Sequence, residues 1–204
     1  MTYKHLHVIR SLAAVCLLQL GLANSASADI WAIDKQNSEI RFSWDYLGIS
    51  RRSGRFLDMD GTLNFAPTDP ESGSVELSIK SASVSTGVKE LDDTLKSPDF
   101  FGAVSYPRIV FKSTGVVKTG ERAGDITGEL TFHGQSRPVV LSTTWNFTGE
   151  HPMSESNVTF QGKWVSGFTA TAKFLRSDFG VKRGVPLLSD EVRIDIDAVF
   201  IRKD

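Results

Sequence analysis

Ile126-Thr127-Gly128-Glu129-Leu130-Thr131-Phe132-His133-Gly134-Gln135-Ser136-Arg137-Pro138-Val139-Val140-Leu141-Ser142-Thr143-Thr144-Trp145-Asn146-Phe147 reads as two strands and a turn. Ile126, Gly128, Leu130 and Phe132 alternate with Thr127, Glu129, Thr131 and His133. A period of two means opposite faces of a strand. Gly134-Gln135-Ser136 is predicted as the hairpin connection. Val139, Leu141, Thr143, Trp145 and Phe147 then return on one face. One apolar and one polar face per strand marks an antiparallel sheet with a single buried side.

The same alternation recurs to either side. Upstream it covers 39–46, where Ile40, Phe42, Trp44 and Tyr46 share a face, and 57–65, where Leu57, Met59, Gly61, Leu63 and Phe65 do. Phe56 breaks the second phase, which predicts a bulge beside Gly54. Residues 75–80 and 108–112 follow. Downstream, 158–164, 168–174 and 191–197 read as strands, the last with Val192, Ile194 and Ile196 against Glu191, Arg193, Asp195 and Asp197. One segment departs from the pattern. In 86–101, Val88, Leu91 and Leu95 fall at helical spacing, Thr86 or Ser85 is a candidate cap, and Ser97-Pro98 suits a second helical turn.

About eight antiparallel strands with short turns must hide their edges. A closed up-and-down barrel does so and can hold one ligand; a two-sheet sandwich is the competitor. Alternation does not separate the two, nor does it distinguish a packed interior from a hollow one.

Residues 1–28 read as a secretory signal peptide: Lys4 and Arg10, a short apolar run over 12–23, then Ala26-Ser27-Ala28 as cleavage site. The domain is then 29–204, and the expected location is the periplasm or the medium. Losing Lys4 and Arg10 takes the 23 basic residues to 21 against 24 acidic, a net charge of −3. That balance points away from nucleic acid. The only cysteine, Cys16, leaves with the leader, so neither a disulfide framework nor a cysteine-based metal site is expected. No later apolar run is long enough for a membrane-spanning helix, so no stable insertion is expected after cleavage.

Chemistry-bearing residues are few. His133 and His151 lie far apart, and neither is beside a nucleophile-elbow pattern, so a Ser–His–Asp triad and a zinc site are both weak readings. Glu90, Asp92, Asp93 and Asp99 form an acidic cluster around the helix. A carboxylate pair there could support hydrolysis, but a solvated helix face is the simpler account. Arg176-Ser177-Asp178-Phe179-Gly180 closes a long hairpin, where Arg176 can pair with Asp178 or meet a ligand headgroup.

Several motifs together carry a family resemblance. They are Trp31-Ala32-Ile33-Asp34-Lys35, Gly54-x-Phe56 with Gly61-x-Leu63-x-Phe65, and the run from Leu91 through Ser97-Pro98-Asp99-Phe100-Phe101. Tyr106-Pro107-Arg108-Ile109-Val110-Phe111, Gly128-x-Leu130-Thr131-Phe132-His133-Gly134 and Arg176-Ser177-Asp178-Phe179-Gly180 complete the set. In order and spacing, residues 29–203 resemble the YceI family of secreted bacterial proteins. The resemblance implies an all-β fold: an eight-stranded antiparallel β-barrel, elongated and lipocalin-like, with a short helical insertion. It also implies a central tunnel for a long apolar chain such as a polyisoprenoid or an isoprenoid quinone. Many relatives carry a histidine where this chain has Thr94, which puts any polar contact of that histidine in question here.

The expected tunnel lining is Phe42, Trp44, Leu63, Phe65, Leu77, Phe111, Leu130, Trp145, Phe168 and Ile194. Leu91, Leu95, Phe100 and Phe101 are expected at the mouth as a mobile cover, with Arg176 as a headgroup contact. No catalytic cofactor or metal is called for; the expected partner is a long-chain apolar small molecule, and a homodimer is compatible with the sequence. Two other readings compete: a ligand-free barrel acting as a protein-interaction scaffold, and a hydrolase built on the acids near Glu90.

Overall fold

The computed structural model describes residues 28–203, so the leader assigned above lies outside the described residues up to position 27. The elements in chain order are β1 (Asp29–Ile33), β2 (Glu39–Tyr46), β3 (Ser50–Phe56), β4 (Met59–Phe65), β5 (Ser74–Lys80), β6 (Val84–Ser85), α1 (Lys89–Lys96), β7 (Arg108–Lys118), β8 (Ala123–Phe132), β9 (Gln135–Glu150), β10 (Trp164–Leu175) and β11 (Glu191–Arg202).

Eleven strands make eight barrel strands, because three are broken in two. β1 and β2 lie end to end along β11, against Phe200–Arg202 and Arg193–Asp197 respectively. β4 and β3 pair with β1 and β2, and β5 and β6 pair with β4 and β3. From β5 the order runs through β7, β8, β9 and β10 to β11, and the contact of β11 with β1 and β2 closes the ring. This is a closed, antiparallel, up-and-down barrel, and the sandwich is excluded. Closure removes the unpaired edges that an open sheet of this size would expose.

Each break has its own cause. At 34–38, the Asp34 carboxylate accepts the Gln36 N–H and the Asn37 side-chain amide, turning the chain as an Asx turn. At 57–58 the strand shifts by one residue. Phe56 and Met59 both point inward and Leu57 points out, 64% exposed. The phase change read at Phe56 is therefore this break; β3 pairs with β2 in continuous register through Gly54, without the expected bulge. A third break at 81–83 is held where buried Ser81 donates its hydroxyl to Tyr106 O at 2.7 Å.

Three other expectations are corrected. Residues 158–164 do not form a strand: Val158–Phe160 is a 3-10 turn capped by the Asn157 side chain, and the strand starts at Trp164. The helix is shorter than 86–101. Val88 is its N-cap residue, and Gly87 (φ 80) turns the chain just before it. Thr86 does not cap; its N–H and hydroxyl both donate to Asp92 Oδ1, so the acid ties the loop to the helix. Residues 97–103 are a turn in which Ser97 O accepts from the Phe100 and Gly102 amides. The β8–β9 connection is His133-Gly134, one residue earlier than read, with φ 49 and 74. Two positive φ values are what a two-residue hairpin loop requires.

The up-and-down order gives the barrel two ends. The 47–49 turn, the insertion 86–107, the 133–134 turn and the long connection 176–190 gather at one end. Residues 66–73, 119–122 and 151–163 gather at the other. They are called the helix end and the far end below.

A cavity at the helix end

Alternation puts the apolar faces inside, but the inside is not uniform. The helix-end half holds a cavity of about 520 Å³. Six of the ten expected lining residues border it: Phe42, Trp44, Leu77, Phe111, Leu130 and Ile194. The other four, Leu63, Phe65, Trp145 and Phe168, border a separate cavity of about 80 Å³ in the far half. Around the smaller cavity the aromatics are tightly set. Phe65 meets Trp145 and Phe168 edge-on at 5.3 and 5.4 Å, and Phe168 meets Phe200 at 6.2 Å. Fully buried Trp31 donates its indole N–H to Phe65 O at 3.2 Å and fixes that strand. The ten expected lining residues are thus divided between two cavities.

Inward glycines make the helix-end cavity's walls thin. A Cβ on Gly54 would fall 2.6 Å from Phe42 Cζ, and one on Gly128 would fall 2.3 Å from Phe111 Cζ. Both rings lie flat across a neighbouring strand at a glycine, a close approach no other residue permits.

All four expected mouth residues border this cavity: Leu91, Leu95, Phe100 and Phe101. They form part of the wall. β6 pairs only with β3, and β7 begins at Arg108, so the sheet is open between β6 and β7 at this end. The insertion fills the gap. Phe101 packs against Phe42, Phe56 and Phe132 at 5.5–5.6 Å, and Leu95 is buried. His133 Nε2 lies 3.1 Å from Pro98 O and its ring packs on Tyr106, so the β8–β9 turn anchors the insertion.

Polar side chains reach the cavity at Tyr46, Arg52, Glu90, Thr94 and Arg176, all from elements of the helix end. Arg176 is buried. It does not pair with Asp178. Its guanidinium donates to the carbonyls of Ser189, Val181, Arg183 and Leu188 at 2.9–3.2 Å, so one cation organises the 176–190 connection. Burial lowers its pKa below the ordinary guanidinium value, and nearby Asp190 opposes that shift; an arginine remains charged regardless. Four of its five N–H donors are committed. Thr94 donates its hydroxyl to Glu90 O at 2.8 Å, a bond within the helix.

The acidic cluster is dispersed among structural roles. Asp92 holds Thr86, Asp93 pairs with Lys89, and Asp99 lies 3.9 Å from Arg183. Among the described residues no three His, Cys, Asp or Glu side chains group as metal ligands.

Ile40, Tyr46, Phe132 and Phe174 also border the cavity; the alternation puts all four on apolar strand faces, though they are not among the ten expected lining residues. Arg52 was not singled out; it lies in β3, upstream of the 57–65 strand read from sequence.

An antiparallel barrel enclosing an apolar cavity, with polar groups confined to one end, defines a lipocalin-like protein. The YceI-like domain model matches residues 31–200, and the chain belongs to that family. It is 36% identical over 197 residues to a UPF0312 protein of Pseudomonas syringae pv. syringae, covering 95% of this chain and 98% of that one. A UPF0312 protein of Azotobacter vinelandii is 33% identical over 198 residues, with the same coverage. Among solved structures, the Campylobacter jejuni YceI protein matches with a TM-score of 0.68 at 29% identity, covering 78% of this chain and 90% of that one. Burkholderia cenocepacia BcnA matches with a TM-score of 0.72 at 24% identity (82% and 98% covered). A polyisoprenoid binding domain from Saccharophagus degradans matches with a TM-score of 0.63 at 14% identity (85% and 98% covered). The last two show the shared fold.

Proposed function

We propose that this protein is a non-catalytic periplasmic carrier that holds an apolar chain in the helix-end cavity, tail inward and polar end at the mouth. The observation that carries this reading is the segregation within the cavity: apolar walls below, with Arg52, Glu90, Thr94, Tyr46 and Arg176 gathered at one end. A chain with one polar end fits that gradient in one orientation. Each buried CH₂ contributes about 0.8 kcal/mol before ordering costs. A volume of about 520 Å³ lies within the range that buries most of a drug-sized molecule. The Saccharophagus neighbour, described as a polyisoprenoid binding domain, supports an isoprenoid as the chain. The leader-like residues 1–28 support the periplasmic location. In this reading Phe42, Trp44, Leu77, Phe111, Leu130 and Ile194 touch the chain, and Arg176 shapes the mouth. Leu63, Phe65, Trp145 and Phe168 seal the floor.

The test is organic extraction and mass spectrometry of the mature protein purified from its secretion route, beside Leu77→Trp. Leu77 is buried in the cavity wall, opposite Gly61. The expected result is a stoichiometric apolar lipid from the wild type and its loss from the variant, with the β circular-dichroism signal kept. An extract that stays empty after incubation with added isoprenoid lipids sinks the carrier reading.

A further inference from the structure

The mouth of the cavity carries an exposed surface that the lipid pocket alone does not account for. The 47–49 turn and the 176–190 connection meet there: Leu47 N–H donates to Leu187 O at 2.9 Å, and Tyr46 bridges Leu188. This contact brings together large apolar side chains that face water. Ile49 is 78% exposed and Leu187 68%, with Leu47 and Tyr46 about two-fifths exposed. Tyr46 and Leu188 also border the cavity, as does exposed Val88 on the insertion. Apolar side chains therefore reach from the outside to the rim of the pocket.

Charge distinguishes this surface. Residues 46–52 and 181–188 contain Arg51, Arg52, Lys182 and Arg183 and no acidic residue, whereas the insertion on the other side of the mouth carries Glu90, Asp92, Asp93 and Asp99 against Lys89 and Lys96. Arg51 and Arg183 reach carboxylates only at 3.6 and 3.9 Å, at Asp45 and Asp99. No carboxylate among the described residues lies within ion-pair distance of Arg52 or Lys182. The far end also exposes apolar groups, Val158 and Met153 among them. Its 151–163 loop carries one acid, Glu155, and one base, Lys163, and it does not border the large cavity.

We propose that the helix end docks the barrel on an anionic phospholipid surface, with Ile49, Leu47 and Leu187 entering the headgroup layer and Arg51, Arg52, Lys182 and Arg183 meeting lipid phosphates. Exposed apolar tips flanked by cations are the pattern that binds such an interface. This inference rests on the carrier reading: docking in this pose lets an apolar chain pass between bilayer and pocket without crossing water.

The test is co-sedimentation of the mature protein with vesicles of phosphatidylcholine alone or with roughly one-third phosphatidylglycerol, at low and high salt. The wild type is expected to bind the anionic vesicles and to lose most binding at high salt, because exposed charges are screened. Ile49→Asp with Leu187→Asp should weaken binding at least about tenfold, the insertion of apolar side chains being removed. Arg51→Ser with Lys182→Ser should remove the preference for phosphatidylglycerol. None of these four residues lines the pocket, so uptake of a fluorescent isoprenoid from detergent micelles should stay unchanged. Wild-type protein that ignores anionic vesicles, or binds them as well after Ile49→Asp with Leu187→Asp, overturns the proposal. So does self-association of the wild type that the same change abolishes without any vesicle binding. Failed micelle uptake by the wild type would instead break the carrier reading, whatever the vesicles show.

Discussion

The two halves of this barrel are built from the same strands and the same alternation, yet one is hollow and the other is filled. In the far half, Phe65 packs on Trp145 and Phe168, Phe168 packs on Phe200, and the cavity is about 80 Å³. In the helix-end half, Phe42, Phe56 and Phe111 lie along the wall, partly folded over glycines, and leave about 520 Å³. Nine aromatic residues border the larger cavity and three the smaller, so ring content alone does not decide which half is hollow. The difference predicts that truncation costs more in the far half than beside the larger cavity.

Truncation should expose that division most strongly. Phe65→Ala removes a ring enclosed by Trp145 and Phe168 and is expected to cost about 3–5 kcal/mol. Ile194→Ala trims a residue that already borders empty space, so little new cavity forms, and the cost should stay near 2 kcal/mol. Urea unfolding of the two variants measures both. Equal losses would mean that the halves do not differ in packing. Phe65→Ala also removes part of the floor, so any variant that still folds should take up longer chains than the wild type does.

How far this contrast was legible follows from what alternation encodes. Ile126 through Phe147 revealed two strands because a residue's face depends only on its neighbours. The same logic put Phe42 and Phe65 in one set. Their separation between two cavities depends on position along the barrel axis, which no local pattern carries. The break at 57–58 was visible as the phase change at Phe56, yet its form depended on distant partners, such as Ser83 O accepting from the Leu57 amide. Arg176 was picked out, but its role was not. Its four carbonyl partners are defined by the path of residues 181–189, and the nearby Asp178 offered a simpler pairing that the fold does not use.

A smaller effect should separate two glycines. Gly128→Ala places a methyl 2.3 Å from Phe111 Cζ and 2.6 Å from Lys112 O. The backbone oxygen cannot yield easily, so the cost is about 1–3 kcal/mol, and the displaced ring should narrow the pocket. Gly115→Ala, at the bulge between β7 and β8, meets nothing within 4 Å. It should change stability by no more than about 0.5 kcal/mol. Thermal melts of the pair, together with probe uptake, check the prediction. A neutral Gly128→Ala would show that Phe111 has another resting place and that the wall is softer than its geometry implies.

The smallest effect belongs to the outer surface of the helix-end half, where charge takes over from packing. Glu39 accepts from Arg41 at 2.5 Å and from Arg55 at 3.2 Å, and Arg41 also reaches Asp197 at 2.9 Å. The hydrogen bond from Arg41, then that from Arg55, holds the Glu39 carboxyl below its usual pKa. A carboxylate whose pKa is lowered on folding contributes stability above its unfolded value, roughly 4.3. That contribution is lost as pH falls through the lower, folded value. The groups are partly exposed, so water and salt reduce it to about 1 kcal/mol or less. Glu39→Gln should therefore be less stable than the wild type at pH 7 by about that amount. The two should converge as the medium is acidified below the ordinary carboxylate range, and high salt should shrink the gap at pH 7. Urea midpoints across pH measure this. A gap that persists unchanged into acid would mean that Glu39 acts through packing beside the 34–38 break, and the contrast between a charge-tied outer face and a hollow interior would lose its electrostatic half.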